Sequence, residues 1–370
     1  MKEGWEYRKL GEVAEVIHGK NQKDVLSEEG QYPIYGSGGN IMGYANDYLC
    51  EAGTTILGRK GSINNPQFIE ERFWNVDTAF GISAKEGYDS KFVYYFITSI
   101  NWLEKNTGTT LPSLTQQVVK SVELPVPPLS EQQSIVEYLD SAFAKIDSMK
   151  ANAEKALNEA KALFQASLKE MLEPKEEWEE KTLGEVCIKS KNIRWEEYQD
   201  GKIFTYIDLT SVNRETLSIV EPQFIEKNNA PSRAKQIVKT GDIIFATTRP
   251  TLRRVCLISE DFDSQICSTG FCVLRPKQEI TSKWIFFSLL NEDFYQYIEP
   301  LQTGASYPAV TDGIVKNYRI SYPSSITYQQ TIVDTLDSLK SKVDKLQENY
   351  DKISQECDAL KQAILRQVFE

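Results

Sequence analysis

The chain has 370 residues and 42.2 kDa, with 53 acidic against 42 basic side chains and a formal net charge of −11. A composition of 41% apolar and 26% charged residues marks a folded globular chain of two or three domains and excludes a disordered one. The longest apolar runs span a few residues, such as 243–246 and 284–287, which excludes a transmembrane helix. The N-terminus carries no apolar signal core, so a cytoplasmic chain is expected.

Six cysteines (Cys50, Cys187, Cys256, Cys267, Cys272, Cys357) are scattered without a CxxC pair, which predicts reduced thiols and no disulfide framework. A zinc centre would need clustered ligands, and the single histidine, His18, has no catalytic motif around it. His18 is expected as a polar residue near a strand end. Most hydrolase chemistries are thereby excluded.

In chain order, the sequence repeats itself. WEYRKLGEV (5–13) returns as WEEKTLGEV (178–186), TGTTLPSLTQQVVK (107–120) as TGASYPAVTDGIVK (303–316), and QQSIVEYLDS (132–141) as QQTIVDTLDS (329–338). The three blocks keep their order while the offset grows from 173 to 197, so the chain is two copies of one unit joined near 173. Within each copy, β-branched and aromatic runs alternate with Gly, Pro and Asn, as in 32–40, 54–58, 241–250 and 270–276, which predicts strands and turns. Helices are predicted at 90–104 and at its counterpart 282–298. Pro125, Pro127 and Pro128 in one copy, and Pro323 in the other, close the globular part.

Each copy then ends in a long helix, with Ser130 and Thr327 as expected N-terminal caps. Ile332, Leu336, Leu339, Val343, Leu346, Ile353 and Leu360 recur in steps of three and four, and copy one supplies Ile135, Leu139, Ile146, Met149 and Leu163. Forty-odd residues give helices of roughly 60–65 Å. Copy one is small (Ala153, Ala156, Ala160) where copy two is bulky, which favours packing of the two helices on each other within one chain. The expected architecture is α+β: a globular mixed α/β domain at 1–129, a helix at 130–173, a second domain at 174–326 and a second helix at 327–370. The helices form an antiparallel coiled coil with pseudo-twofold symmetry. Such a pair acts as a ruler that spaces the two heads.

These residues resemble the specificity subunit of type I restriction–modification systems over essentially the whole chain. The resemblance rests on WxxxxLGEV opening each half, YPIYGSGGNIMGY (32–44), TILGRKGSI (55–63) with DTAF (77–80), the paired TGTTLPSLT and TGASYPAVT loops, and 124–140. It implies a non-catalytic reader of double-stranded DNA with two target-recognition domains, each binding one half of a split, asymmetric target. It also implies docking of two methyltransferase subunits that methylate adenine N6, and of translocase/nuclease subunits. S-adenosylmethionine, ATP and Mg would then belong to those partners, and this chain would carry no cofactor and no metal.

An enzyme is the first rival reading, and a coiled-coil scaffold with protein-binding heads the second. The glycines of 35–39 and Asn65-Pro66-Gln67-Phe68 are imperfect matches to methyltransferase motifs, with Gln67 where a second proline is required. GTTILGRK (53–60) has Arg59 and Lys60 in the lysine and hydroxyl positions of a P-loop, so its phosphate-binding logic fails. No segment is basic overall, which counts against tight autonomous DNA binding. Local clusters offset this: Arg59 and Lys60 beside Ser62 and Asn64, and Arg249, Arg253 and Arg254 with Thr247 and Thr248. Thr107, Thr109, Thr303 and Ser306 suit phosphate or base contacts and equally a cap for the following helix. Specificity is expected where the copies differ, at 35–44 (Tyr35, Ser37, Asn40), 59–75, 205–216 and 247–254.

Overall fold

The structure, a computed structural model, describes residues 4–198 and 201–370. The chain divides into two units, Met1–Ala153 with Asp351–Glu370, and Glu154–Tyr350.

Copy one comprises β1 (Glu6–Lys9), α1 (Leu10–Val13), β2 (Ala14–His18), β3 (Tyr32–Tyr35), β4 (Ile41–Ala45), β5 (Thr54–Gly58), β6 (Gln67–Ile69), β7 (Trp74–Asn75), β8 (Ala79–Ala84), α2 (Ser90–Ser99), α3 (Gln116–Ser121), β9 (Glu123–Val126) and α4 (Leu129–Leu172). Copy two runs β10 (Glu179–Thr182), α5 (Leu183–Val186), β11 (Cys187–Ile188), β12 (Ile203–Ile207), β13 (Gln223–Glu226), β14 (Ala234–Ile237), β15 (Ile243–Ala246), β16 (Val255–Leu257), β17 (Ile266–Ser268), β18 (Phe271–Pro276), α6 (Ser282–Leu290), α7 (Glu292–Ile298), α8 (Asp312–Lys316), β19 (Arg319–Tyr322) and α9 (Ile326–Phe369).

The duplication seen in sequence is a duplication of topology. The sheet β2-β8-β5-β6 corresponds to β11-β18-β15-β16, the ribbon β1-β9 to β10-β19, and β4-β3-β7 to β13-β12-β17. Copy two adds β14 as a fourth strand on β17, and this accounts for part of the insertion between the repeated blocks. In both copies the central strand, β5 or β15, is buried along its whole length, as a strand flanked on both sides and covered by a helix must be.

The repeated motifs have structural causes. In LGEV, the leucine and valine of α1 and α5 are completely buried, and Glu12 and Glu185 reach back to the backbone N–H of Lys9 and Thr182. The glycine allows close approach of the neighbouring helix: a Cβ at Gly11 would stand 3.0 Å from that of Lys120. In the QQ motif, Gln132 accepts from Asp89 N and donates to Pro127 O. Its counterpart Gln329 accepts from Thr281 N and donates to Pro323 O and Glu279 O. Both side chains are buried, and each pins a long helix to the start of α2 or α6. Gln329→Ala leaves three of these backbone groups without a partner. It is expected to cost about 2–3 kcal/mol, read as a shift of the urea midpoint for the second unit; an unchanged midpoint would refute the pinning role.

The core of the first unit combines Leu10, Val16, Leu57, Phe80, Phe92, Phe96 and Trp102 with Leu139 of α4 and Leu365 and Phe369 of α9. That of the second unit joins Leu183, Phe245, Leu274, Trp284, Phe287 and Phe294 to Phe164 and Leu168 of α4 and Ile332, Val333 and Leu336 of α9. Each long helix thus contributes to both units. Within each unit the two helices run antiparallel. In the first unit Lys361 meets Asp147, Lys150 meets Asp358, and Cys357 lies on Ile146 O, while in the second Lys161 donates to Gln347.

Several expectations are corrected. The helix predicted over 90–104 stops at Ser99, and Asn101 caps a separate 3-10 turn, Trp102–Lys105. The helix over 282–298 breaks at Asn291, whose side chain caps α7. Ser130 and Thr327 are not caps: they lie inside the first turn, where their carbonyls accept from Ser134 and Thr331. The α9 terminus is capped by Ser325, which takes a hydrogen bond from Tyr328 N, while Pro128 O accepts at the start of α4.

The expected helix seam is partly out of phase. Leu139, Ile146, Ile332 and Leu336 are buried, and Ile135, Leu339, Val343, Leu346 and Ile353 are half-buried. Met149, Leu163 and Leu360, however, are 60%, 61% and 48% exposed. The residues that follow them, Lys150, Phe164 and Lys361, face inward instead, as does Leu157 after Ala156. A lysine scores as polar, yet the Lys361 ammonium lies 5.3 Å over the Phe143 ring and donates to Asp147.

All six cysteines are free and buried, and burial pushes the thiols of Cys50, Cys187 and Cys256 up to about 12. Among the described residues no helix is long and apolar enough to cross a membrane.

Candidate nucleic-acid interface

The two copies build the same pair of loops. In copy one the turn after β5 docks on the TG loop: Leu114 N donates to Arg59 O, and Gly61 N to Pro112 O, both at 2.9 Å. Lys60 bridges to Ser113. In copy two Val310 N donates to Thr247 O at 2.9 Å and Arg249 N to Pro308 O at 2.6 Å, and Thr248 bridges to Ala309. Arg59-Lys60-Gly61 therefore stands in the place of Thr247-Thr248-Arg249. The third position is left-handed in both, with φ +81° at Gly61 and +49° at Arg249. Glycine adopts that conformation freely, whereas an arginine there is strained and held by its surroundings.

The TG loops are themselves closed. Thr107 N donates to Ser113 O, and the Asn106 carboxamide accepts from Gly108 N and Ser113 N. In copy two, Thr303 and Ala309 exchange both backbone hydrogen bonds at 2.9 Å. The hydroxyls of Thr107 and Thr303 fold back onto the carbonyls of Ser113 and Ala309. Thr109 and Ser306 are exposed at the tips. The residues that cap the following helices are Thr115 and Thr311.

Of the candidates in copy one, Lys60 and Ser62 are exposed, and Arg59 is half-buried with its guanidinium on Asp77 O at 2.9 Å. Ser37 and Asn40 lie in the β3–β4 hairpin turn, where Gly36 N donates to Asn40 O. That turn lies against the segment after β5, with Asn65 Nδ2 3.5 Å from Gly38 O. Two expectations change. Asn64 accepts from Trp102 N at 2.7 Å, so its side chain caps the turn that buries Trp102. Tyr35 is 9% exposed, packs edge-on against Phe73, and donates its phenol to Glu71. It lines a cavity of about 470 Å³ with Glu70, Glu71 and Lys91, so its phenol faces a carboxylate and not open solvent. Burial and Glu71 raise its pKa.

In copy two, Thr247 is buried and its hydroxyl donates to Gly270 O, so it braces the loop and does not face outward. Arg253 is neutralised: both Glu292 carboxylate oxygens accept from its Nη2 at 2.8 and 2.6 Å, and it lies 4.2 Å over the Tyr295 ring. Arg254 is half-buried, with its Nε enclosed and without an acceptor among the described residues. Arg249 remains exposed, stacked 4.8 Å over Tyr307. Thr248, Arg249, Thr303 and Ser306 are thus gathered on one loop pair, as are Arg59, Lys60, Ser62, Thr107 and Thr109 in the other copy.

His18, at the end of β2 with its ring against Phe80, has its pKa lowered by burial and then by Arg59 and Lys120. Sequence reasoning missed Tyr307 and Leu111, both exposed at the TG-loop tips. A signal was present, since each precedes a proline at the same repeat offset of 196.

Two equivalent mixed α/β heads with cationic, hydroxyl-bearing loop pairs, each followed by a long helix, define a duplicated DNA-recognition protein. The family model described as the type I restriction modification DNA specificity domain matches residues 2–159 and again 175–355. The chain belongs to that family. The MjaVIII specificity subunit of Methanocaldococcus jannaschii is 23% identical over 389 residues, covering 92% of this chain and 87% of that protein. The HindI specificity subunit of Haemophilus influenzae is 26% identical over 176 residues, a local match to 45% of this chain and 36% of its own length. A chain solved in work on complex assembly and conformational transition of the type I R-M system superposes with a TM-score of 0.73 at 19% identity, over 99% of this chain and 97% of that one.

Proposed function

We propose that this chain is the DNA-reading, non-catalytic subunit of a type I restriction–modification complex, working in the cytoplasm. Each copy reads one half of a split, asymmetric target, and the helix pair sets the spacing between the halves. The observation that carries this is one loop scaffold with different chemistry at matched positions: Arg59-Lys60-Gly61 against Thr247-Thr248-Arg249. Two like scaffolds bearing unlike side chains suit two unlike half-sites. Base contacts fall to Ser62 and Arg249, and phosphate contacts to Lys60 and the exposed hydroxyls Thr109 and Ser306.

In this reading two methyltransferase subunits dock on the chain and methylate adenine N6, and translocase/nuclease subunits complete the assembly. S-adenosylmethionine, ATP and Mg act on those partners. The net charge of −11 fits a reader whose partners supply much of the phosphate clamp.

The test is a methylation map. The chain is co-expressed with its methyltransferase in a host lacking adenine methylation, and N6-methyladenine is located by long-read sequencing, with and without the chain. A two-part asymmetric motif that depends on the chain is expected. A motif that follows the methyltransferase alone, or no motif from a soluble complex, would overturn the reading. Arg249→Ala is expected to relax the motif in one half only; an intact motif would remove Arg249 from base contact.

A further inference from the structure

The TG loops present a feature that positioning the basic residues does not require. At their tips stand two large apolar side chains in the same register, Leu111 at 55% exposure and Tyr307 at 68%. Water-exposed leucine and tyrosine on a loop are ordinary when the loop moves freely. Here the loops are closed at the base by backbone hydrogen bonds and tied to the neighbouring turn through the carbonyl of the next residue, Pro112 or Pro308. The proline also confines the residue before it to extended backbone. Little further ordering is left when such a side chain enters a partner, so its burial is gained at low entropic cost.

The surroundings select the partner. Thr109, Thr110 and Lys60 are exposed around Leu111, and Ser306 and Arg249 around Tyr307. An apolar tip ringed by hydroxyls and cations matches a base step flanked by phosphates. Side chains of this kind enter DNA by parting adjacent base pairs, with the neighbouring polar groups on the backbone. The guanidinium of Arg249 covers one face of the Tyr307 ring at 4.8 Å, leaving the opposite face to a base. The backbone at Arg249 is left-handed, as it is at Gly61 in the matching position of copy one.

We propose that Leu111 and Tyr307 are matched wedges that enter the base stack of the duplex, one in each half-site, Leu111 as an apolar plug and Tyr307 as a stacking ring backed by Arg249. This rests on the DNA-reading function proposed above. Because the wedges occupy the same register in both copies, they deform the half-sites alike and leave sequence choice to the residues beside them.

The test uses the full chain in complex with its methyltransferase, and duplexes carrying the mapped motif with 2-aminopurine at successive positions. In the wild-type complex one step in each half brightens as it unstacks. Leu111→Ala is expected to abolish the signal in one half and Tyr307→Ala in the other. Each should weaken binding about ten-fold without altering the salt dependence, because no phosphate contact is lost. Lys60→Ala, by contrast, should lower the log–log salt slope by about one. Tyr307→Phe should keep both signal and affinity, which separates stacking from any role of the hydroxyl. Alanine variants that retain the 2-aminopurine signal and affinity would overturn the wedge. Variants that shed the methyltransferase on size exclusion would assign the tips to protein docking instead. If the wild-type complex methylates no motif, the DNA-reading function itself falls, and the wedges with it.

Discussion

Replacing Leu365 and Phe369 together by alanine is expected to unfold the N-terminal copy, although both residues lie in the last six of the chain. Leu365 is completely buried and Phe369 nearly so. The Phe369 ring packs on Phe92 and Phe96 of α2 at 5.4 and 5.6 Å, inside the cluster that also holds Trp102 and Leu139. Truncating a buried leucine or phenylalanine costs about 2–5 kcal/mol, through lost transfer energy and the cavity left behind. Two adjacent truncations approach the whole stability of a domain this size. Hydrogen exchange is the appropriate measurement, because it reports each unit separately. Protection should collapse in α2 and in the sheet β2-β8-β5-β6, and persist in β11-β18-β15-β16. Wild-type protection throughout α2 would show that the end of α9 is dispensable to that core.

The second large effect is expected at Asp242. Its carboxylate is almost fully buried and takes a bidentate pair of hydrogen bonds from Arg275, at 2.8 and 2.7 Å, and a third from Lys239 N. The Arg275 side chain is itself only 18% exposed. Asp242→Ala leaves a largely buried guanidinium without its counter-charge, which costs about 3–5 kcal/mol. Asp242 immediately precedes β15, the strand that delivers Thr248 and Arg249 to the loop pair. Loss of the pair should therefore lower the denaturation midpoint of the second unit and erase methylation of the motif together. A variant that loses stability while methylating the intact motif at wild-type level would separate the strand anchor from the reading loop. Removing both charges, as Asp242→Leu with Arg275→Met, is expected to recover most of the stability, because it removes the unpaired ion along with the pair.

The duplication, the α+β class and the two long helices were legible in the sequence by itself. Repeated blocks, heptad steps and an unbroken run without proline or glycine are properties of neighbouring residues, and local backbone preference and periodicity act on neighbours. Membership of the family was legible for the same reason, from motifs such as LGEV and QQ, whose caps and pins the structure then explains.

Only the tertiary structure decided which face of each helix is buried. The apolar count favoured Met149, Leu163 and Leu360, but the seam turns one residue on to Lys150, Phe164 and Lys361. The helix ends are gripped by globular cores, and the Lys361 ammonium is held inward over the Phe143 ring and on Asp147. The site was decided in the same way. Arg253 reads as a free cation until Glu292, 39 residues away, is folded against it. Asn64 and Thr247 read as polar loop residues until Trp102 N and Gly270 O take their hydrogen bonds. Contacts between residues so far apart leave no periodic trace in the chain, because they are selected by the packing of whole sheets and loops.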